Sequence, residues 1–428
     1  MKPKAEKTFC FLKGIAMDKV KIAFIGFGAR GDCLLKMILE TMPNDVEIVG
    51  VCDSYEDRAL AAKKMVEEIA GNSPVAVTDY RKLLEMKEVE AVISPSAWDA
   101  HVQIAIDSML AGKYVATEVG GAYSIQQCWD LVHTYERTGV PMMLLENCCY
   151  GKNELTVFNM VKKGLFGEVV HCEGGYRHDL RDEIALGEEH RHYRLENFKN
   201  RNGELYPTHE LGPIAKCLDI NRGNRMLYLT SMASKARGVN DWIKKNRGED
   251  FPNANYEFAM GDVVTTMIKC AHGETITLTH DTSLPRAYSR GNLVQGTNAI
   301  WSEDKNGIVV DVVPAAGEKE WKSIEEYYGE YMHPLWKEYI EQGVVSGHDG
   351  IDYLTINAFI NAVRNHTQTP IDVYDAAAWM AVTTLSEDSI AMGSMPVAIP
   401  DFTNGKWIKN RPIVRSKYCL DDICTECF

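Results

Sequence analysis

The stretch VKIAFIGFGARG, Val20 to Gly31, decides the fold of this chain. Its first six residues are mostly apolar, as in a buried strand, and the glycines that follow have the pattern GxGxxG. LLKMILE comes next with the apolar spacing of a helix. A strand, a tight turn and a helix in this order are typical of a dinucleotide site, because the helix amino terminus offers free N–H donors to a pyrophosphate. The predicted phosphate-binding residues are Gly26, Gly28, Ala29, Arg30 and Gly31.

Asp53 ends the next apolar run, VEIVGVCD, where a ribose diol would lie. Its carboxylate would accept hydrogen bonds from the diol and repel a 2′-phosphate, which favours NAD over NADP. Two observations leave alternatives open. Asp53 could simply be a turn residue at the end of a strand. Arg58 is nearby in the sequence, and an arginine is the type of side chain that accommodates a 2′-phosphate.

Apolar runs and helical segments alternate up to PMMLLEN, which predicts a doubly wound parallel sheet of the Rossmann type. From about Gly151 the rhythm changes, and DVVTTMIKC, ETITLTHDT and GIVVDVV follow without regular helical spacers. The fold class is therefore α/β, with a C-terminal α+β domain that has a mainly antiparallel sheet. The predicted division is a flexible N-terminal extension at 1–17, an NAD-binding domain at 18–148 and a substrate domain at 149–428.

Composition and charge exclude several classes of protein. The 428 residues contain 60 acidic and 46 basic side chains, and the formal net charge of −14 disfavours nucleic acid and anionic membranes as partners. The twelve cysteines are too scattered for a secreted disulfide framework. Cys424 and Cys427 form a CxxC without a second pair at zinc-ribbon spacing, so no metal site is predicted. Without a signal peptide or a membrane span, we expect a cytoplasmic protein.

ISPSAWDAHVQIAIDSMLAGKYVATEV resembles the Gfo/Idh/MocA oxidoreductases, in which a helix with a histidine is followed by an AGK motif and a strand. The glutamate-lysine-proline signature of those enzymes is absent, and Glu118, Val119 and Gly120 stand in its place. The lysine that assists hydride transfer in them is therefore missing. This departure argues against a routine sugar dehydrogenase.

Four further motifs are similar to glycoside hydrolase family 109, the NAD-dependent α-N-acetylgalactosaminidases. They are ENCCYG, GLFGEVVHCEGGYRHDLR, NGELYPTHELGPIAKCLDINRG and YSRGNLVQGT, spread from Glu146 to Thr297. The resemblance implies hydrolysis of a glycoside by a redox-neutral route with tightly bound NAD+. The sugar C3 hydroxyl is oxidised, the C2 proton is removed, the C1 oxygen is eliminated, water adds, and the hydride returns.

The resemblance also assigns site residues. His209 and Tyr206 are the candidates for the C3 and C2 proton steps, and Glu146 and His178 for leaving-group and water chemistry, since histidine and tyrosine suit such transfers. The expected substrate-binding residues are Tyr176, Arg194, Thr208 and Tyr288. Besides the glycine-rich turn and Asp53, the expected cofactor-binding residues are Trp98, His101, Glu118, Val119 and Asn147.

Each of these residues also has a structural interpretation. Thr208 could cap a helix and leave His209 exposed in its first turn. Tyr176 and His178 have the same parity on a predicted strand, which suits either a core or a cleft.

Two departures from the family pattern bear on the substrate. Glu210 is a bulky anion beside His209, and Arg177 stands between Tyr176 and His178, so these two could pair or reshape the sugar pocket.

Two alternative functions stay open at this point. A sugar 3-dehydrogenase would release NADH and show net redox turnover, and a non-catalytic NAD-containing protein would need no proton-transfer residues. The expected partner is a small glycoside. By analogy with the fold, the sheet of the second domain offers a surface for a homo-oligomer.

Overall fold

The computed structural model describes residues 18–311, 319–344, 348–409 and 412–428. The predicted flexible extension, residues 1–17, lies outside the described residues. Among those described, no helix combines the length and the apolar character needed to cross a bilayer.

The first half is a six-stranded parallel sheet, as predicted. The strand order is β3-β2-β1-β4-β5-β6. All strands are parallel, and the direction in which successive strands are added reverses between β1 and β4. Ligands bind at such a reversal, beyond the carboxyl ends of the strands. Its elements are β1 (Val20–Ile25), α1 (Ala29–Thr41), β2 (Val46–Cys52), α2 (Glu56–Ile69), β3 (Val75–Val77), α3 (Arg81–Leu84), β4 (Ala91–Ser94), α4 (Trp98–Leu110), β5 (Tyr114–Thr117), α5 (Ile125–Thr138) and β6 (Met142–Leu144).

The second half is built on a nine-stranded sheet with the order β14-β13-β12-β11-β7-β10-β9-β8-β15. All its pairs are antiparallel except β7 with β10, which confirms a mainly antiparallel sheet. Its strands are β7 (Val169–Arg177), β8 (Met226–Ala233), β9 (Val263–Cys270), β10 (Thr275–Asp281), β11 (Leu293–Gly296), β12 (Ala299–Ser302), β13 (Gly307–Val310), β14 (Lys322–Ser323) and β15 (Val397–Ala398).

Helices of the second half pack on this sheet, and two of them also contact the first half of the chain. The helices of the second half are α6 (Lys152–Lys162), α7 (Arg181–Ala185), α8 (Arg194–Asn200), α9 (Thr208–Cys217), α10 (Gly238–Arg247), α11 (Tyr328–Tyr331), α12 (Pro334–Gln342), α13 (Ile351–Asn365) and α14 (Val373–Ala391). The helix α14 is buried nearly all round, as its even apolar distribution requires, and it packs against α5 and β6 on one side and β8 on the other. It joins the two halves into one body.

The structural alternative for Thr208, an N-cap, is not observed. Pro207 occupies the N-cap position of α9, and Thr208 is its first helical residue, with its side chain fully buried. The reason is the fixed φ of proline, −75° here, which already suits the entry to a helix.

Candidate active site

The glycine-rich turn has the close packing that its sequence predicts. Gly26 has φ +105°, and a Cβ on it would lie 2.7 Å from the Cα of Ser96. A Cβ on Gly31 would lie 2.1 Å from the carbonyl oxygen of Gly26. A Cβ on Gly28 would meet no atom within 4 Å, so the space beside this residue is open. Gly28 is the N-cap residue of α1, and no side chain caps the helix there. The first N–H groups of α1 are therefore free of side-chain acceptors, which fits a pyrophosphate.

Asp53 has two tasks that are compatible. Its Oδ2 accepts from the amide of Phe27 at 2.7 Å and its Oδ1 from the amide of Tyr55 at 2.9 Å, so the carboxylate fixes the turn. Each carboxylate oxygen keeps a second acceptor site for a ribose hydroxyl. Arg58 is engaged elsewhere, because its Nη2 donates to the carbonyl of His190 at 3.2 Å.

Trp98 and His101, three residues apart, share the buried face of α4. The imidazole of His101 is hydrogen-bonded through Nε2 to the carbonyl of Ser96 at 2.8 Å, and burial lowers its pKa to about 4. This neutral ring holds the loop that packs on Gly26. The Nε1 of Trp98 is a buried donor with no partner among the described residues, beside Gly120. An orphaned donor at this edge of the sheet fits a polar cofactor group.

Four charged or amide side chains meet at the entrance to the glycine-rich turn. Arg30 donates from Nε to Glu118 at 2.9 Å and from its two Nη atoms to Asp352 at 2.7 and 2.8 Å. Asn147 donates to Oδ1 of Asp352 at 2.7 Å. Three of these residues and the neighbouring buried Val119 are predicted cofactor residues, whereas Asp352 on α13 is not predicted at all.

The centre of the site is a carboxylate–imidazole pair. Nδ1 of His209, near the start of α9, lies 2.7 Å from Oε1 of Glu146, which follows β6 and is fully buried. Burial raises the pKa of Glu146, but the neighbouring His209, the hydrogen bond to its ring and the amide of Cys148 outweigh burial and lower that pKa. An ionised Glu146 on Nδ1 fixes the orientation of the ring and leaves Nε2 for a substrate.

Aromatic side chains surround His209. The ring of Tyr206 stands edge-on to it at 4.9 Å, and Tyr176 lies 4.4 Å from Tyr206. The hydroxyl of Tyr176 contacts Nδ1 of His178 at 3.3 Å, so these two side chains share one face as their parity predicts. Tyr288 lies 4.9 Å from His178 and is about half exposed, at the rim. Sequence-predicted groups from three separate motifs therefore converge.

Arg194 is the cation of this cluster. Its guanidinium lies over the rings of Trp98 at 5.0 Å, Tyr206 at 5.3 Å and Tyr176 at 5.9 Å. Burial raises the pKa of both tyrosines, and Arg194 opposes that increase. Its Nη1 is buried and has no hydrogen-bond partner among the described residues. A buried, unpartnered donor within an aromatic pocket is suited to a substrate oxygen.

Glu210 and Arg177 do not pair, so one of the two alternatives left open by the sequence is excluded. Arg177 lies against Asp304, whose Oδ2 is 3.5 Å from Nη1. Glu210 packs on Gly174 of β7, and neither of its carboxyl oxygens has a partner in the described part of the chain. Burial, and next the neighbouring Glu204, raise the pKa of Glu210 well above its usual range. Burial therefore favours the neutral carboxyl of Glu210 over the anion that the sequence suggests.

Two buried groups near the site escaped prediction. Asp352 lies 322 positions from the arginine it binds, and its surroundings in the sequence form an ordinary amphipathic helix. His280 on β10 is the strand neighbour of Tyr176, and burial lowers its pKa to about 3. Its place on the same face as Tyr176 becomes visible only when the β7–β10 register is known.

Three side chains of the types that bind metal ions lie close together at one point of the described chain. Glu146, Cys148 and His209 have ligand atoms within 4.8 Å of one another. The carboxylate and the imidazole already bind each other, and burial raises the pKa of the Cys148 thiol well above its usual range. This pattern is that of a proton-transfer pair beside a neutral thiol.

Comparison with known protein families divides the chain in the same way as the structure. Residues 20–145 match the model of the oxidoreductase family with an NAD-binding Rossmann fold. Residues 150–409 match the C-terminal domain of glycosyl hydrolase 109. A nicotinamide dinucleotide is therefore the cofactor class of the first half.

Similar proteins cover nearly the whole length. The α-N-acetylgalactosaminidase of Tannerella forsythia is 39% identical over 416 residues, which are 92% of this chain and 88% of that protein. The one from Shewanella oneidensis is 36% identical over 420 residues, covering 96% and 91%.

Solved structures share the fold at much lower identity. A levoglucosan dehydrogenase in complex with NADH and levoglucosan superposes with a TM-score of 0.66 at 15% identity, covering 90% of this chain and all of that one. An NAD-binding oxidoreductase from Klebsiella pneumoniae gives 0.67 at 15%, covering 89% and 99%. The fold is thus that of the Gfo/Idh/MocA dehydrogenases, and by its sequence the chain belongs to glycosyl hydrolase family 109.

Proposed function

We propose that the chain is an NAD+-dependent glycosidase that acts on α-N-acetylgalactosaminides or related small glycosides. The observation that carries this proposal is the Glu146–His209 pair, held at 2.7 Å between the cofactor turn and a pocket of tyrosines. Relatives named α-N-acetylgalactosaminidase supply the substrate class.

The cofactor in this proposal is NAD and not NADP. Asp53 places a buried carboxylate where a 2′-phosphate would lie, and two backbone amides keep it there. The guanidinium of Arg58, the nearest candidate for a phosphate ligand, is held by the carbonyl of His190. The bound cofactor would supply the hydride acceptor for the sugar C3 position and the hydride donor at the end of the cycle.

His209 takes the proton from the C3 hydroxyl in this scheme. The carboxylate of Glu146 accepts the hydrogen bond from Nδ1 and stabilises the ring when it becomes positively charged, so Nε2 is free to act as the base. Glu146 is fully buried behind His209, so it acts through that ring as a positioning residue. This assignment replaces its expected direct part in leaving-group chemistry.

Tyr206 is the base for the C2 proton, which the C3 ketone acidifies. The charge of Arg194, 5.3 Å from its ring, favours the phenolate against the effect of burial. Nη1 of Arg194 is a free donor for the oxygen that becomes negative when the C2 proton leaves. One cation thereby assists both the base and the enolate.

His178 and Tyr176 complete the proton balance at C1. The contact at 3.3 Å between the hydroxyl of Tyr176 and Nδ1 of His178 fixes the histidine ring, which would protonate the departing oxygen and later accept a proton from water. In this scheme Tyr288, at the rim, orients the outer hydroxyls of the sugar. Thr208, beside Glu146, orients the sugar only indirectly. In this scheme residues 18–148 bind the cofactor and residues 149–428 bind the glycoside.

The test is incubation of the purified protein with aryl glycosides in D2O, without added cofactor. We expect release of the aglycone, deuterium at sugar C2, and no accumulation of NADH. Accumulation of NADH that depends on added NAD+, with no aglycone released, would instead identify a sugar dehydrogenase.

The outer face of the nine-stranded sheet is, in our proposal, where two copies meet. Tyr228 and Met232 on β8 and Met267 on β9 lie on one face of the sheet and are 44%, 66% and 51% exposed. Thr230, Thr265 and Lys269 lie between them on the same face, so the surface is mixed, with three large exposed apolar side chains. Exposed apolar side chains grouped on one face are typical of an interface between subunits. The mass in solution, measured by light scattering, tests this: a monomer at micromolar concentration would refute it.

A further inference from the structure

We propose that Asp352 closes a clasp over the glycine-rich turn and retains the dinucleotide between turnovers. The clasp consists of Arg30, Glu118, Asn147 and Asp352, joined by hydrogen bonds of 2.7 to 2.9 Å. The inference rests on the proposed function for the identity of the cofactor. It adds a residue, Asp352, for which the family resemblance assigns no role.

The clasp crosses the place where a pyrophosphate would enter. Arg30 is the second residue of α1, whose amino terminus faces that phosphate site. Glu118 and Asn147 follow the carboxyl ends of β5 and β6, so they lie on the same edge of the sheet. Asp352 comes from the second residue of α13, which the chain supplies from the other half. Arg30 therefore ties α13 to the wall of the cofactor site.

The contacts are strong enough to slow an opening motion. The carboxylate of Asp352 receives two parallel hydrogen bonds from the guanidinium and one from Asn147, and its side chain is only 5% exposed. Planar, two-pronged arginine–carboxylate pairs are the strongest of such contacts. Opening the clasp would leave the Asp352 carboxylate without its cation in a buried place.

Retention of this kind suits a redox-neutral cycle. A dehydrogenase that uses free NAD+ as its oxidant must exchange the cofactor at every turnover, whereas an oxidation followed by a reduction on the same sugar returns the cofactor to its starting state. A lock on the cofactor would slow the first type of enzyme and leave the second unaffected.

The chain contains a matched control on the same helix. Arg364, near the end of α13, donates to Asp45 of the first half at 2.9 Å. Asp45 lies just before β2, at the opposite edge of the sheet from the glycine-rich turn. Asp45→Asn therefore removes an ion pair between the same helix and the same half, far from the cofactor.

The experiment measures cofactor loss directly. Wild type, Asp352→Asn and Asp45→Asn are loaded with radiolabelled NAD+, freed of unbound label by gel filtration, and chased with excess unlabelled NAD+. Loss of the Asp352 charge removes the pair that holds the clasp closed and should speed its opening, so we expect label to leave Asp352→Asn about ten- to a hundredfold faster. Asp45→Asn should retain label like wild type. Equal rates for all three proteins, or no retention by wild type, would overturn the proposal.

Two further measurements separate the clasp from general damage and from the proposed function. Asp352→Glu keeps the charge and should restore most of the retention, which a merely disturbed fold would not do, and it serves if Asp352→Asn fails to fold. Aglycone release by Asp352→Asn should require added NAD+, whereas wild type should not. A wild type that retains NAD+ through the clasp but releases no aglycone would refute the glycosidase and leave the clasp standing.

Discussion

Two buried clusters of charge lie near the two ends of α9, and they differ in what they leave unpaired. In the first, Lys216 donates to Asp375 at 2.7 Å and to the carbonyl of Pro370 at 2.8 Å, and Arg222 binds the same carboxylate at 2.6 and 2.9 Å. In the second, around His209, buried Arg194 and Glu210 keep polar atoms without partners among the described residues.

The difference separates a structural cluster from a site. A folded chain rarely buries an unpaired polar group unless something else satisfies it, because each one costs about 1–3 kcal/mol. The Asp375 cluster is satisfied by the chain itself and ties α9 to α14. The His209 cluster keeps buried donors and acceptors that suit a ligand, although Arg194 is also ion-paired with Glu183. Substitutions in the first cluster should change stability and leave chemistry intact, and substitutions in the second should act first on turnover.

The largest effect should come from His209→Ala, which tests the second cluster. Loss of a positioned base should lower kcat on an aryl glycoside about 10²- to 10⁴-fold, while NAD stays bound to the folded protein. Aglycone release and cofactor absorbance on the same sample measure both. Unchanged turnover would remove His209 from the mechanism.

Asp375→Ala tests the first cluster. Removing this carboxylate leaves Lys216 and Arg222 buried with less compensation, which should lower the free energy of unfolding by about 3–5 kcal/mol. Urea denaturation measures the loss, and kcat of the folded protein should be unchanged. The control is Asp241→Ala on α10, where the pair with Lys245 is exposed and should contribute less than about 1 kcal/mol. A fall in kcat comparable with that of His209→Ala would erase the distinction between the clusters.

Glu204→Gln tests the second cluster through the dependence of stability on pH. Burial raises the pKa of Glu204 to about 8, and it titrates together with Glu210. A carboxyl whose pKa is raised by folding stabilises the protein below the unfolded pKa and loses that contribution as pH rises through the folded one. Wild type should therefore lose stability between about pH 4.5 and 8, by an amount on the order of a few kcal/mol.

Glu204→Gln removes this titrating group and should flatten the profile of unfolding temperature against pH. Glu68→Gln, at a largely exposed position on α2, should follow wild type over the same range. A wild-type profile that is already flat between pH 5 and 8 would mean that Glu204 is ionised and partnered.

The smallest effect on catalysis should come from the sheet face. Met232→Lys places a charge on the exposed apolar surface and should raise the dissociation constant of the dimer while kcat/KM stays within about twofold, since isolated surface changes rarely affect a distant site. Sedimentation at several concentrations measures the shift. Leu60→Lys, also exposed but on α2, should leave the assembly unchanged.

The success of the sequence predictions follows from the range of the interactions that they concern. The turn at Gly26 to Gly31 is local, so strand, turn and helix could be predicted from a dozen residues. The shared face of Tyr176 and His178 follows from strand periodicity alone. The structural alternative for Thr208, an N-cap, does not hold because Pro207 before it already sets the helix entry, and the charge state of Glu210 depends on burial beneath β7.

The sequence by itself determined what short-range rules control: two kinds of sheet, a dinucleotide turn, and a set of histidines, tyrosines and acids that match one family. The tertiary structure decided which of these groups meet. Glu146 and His209 are 63 positions apart, and Arg30 and Asp352 are 322 apart. No periodic pattern links residues at such separations, because their distance depends on how α9 and α13 pack against the first sheet. Pairing, burial and charge state are therefore properties of the folded protein, and the chemistry of this site depends on them.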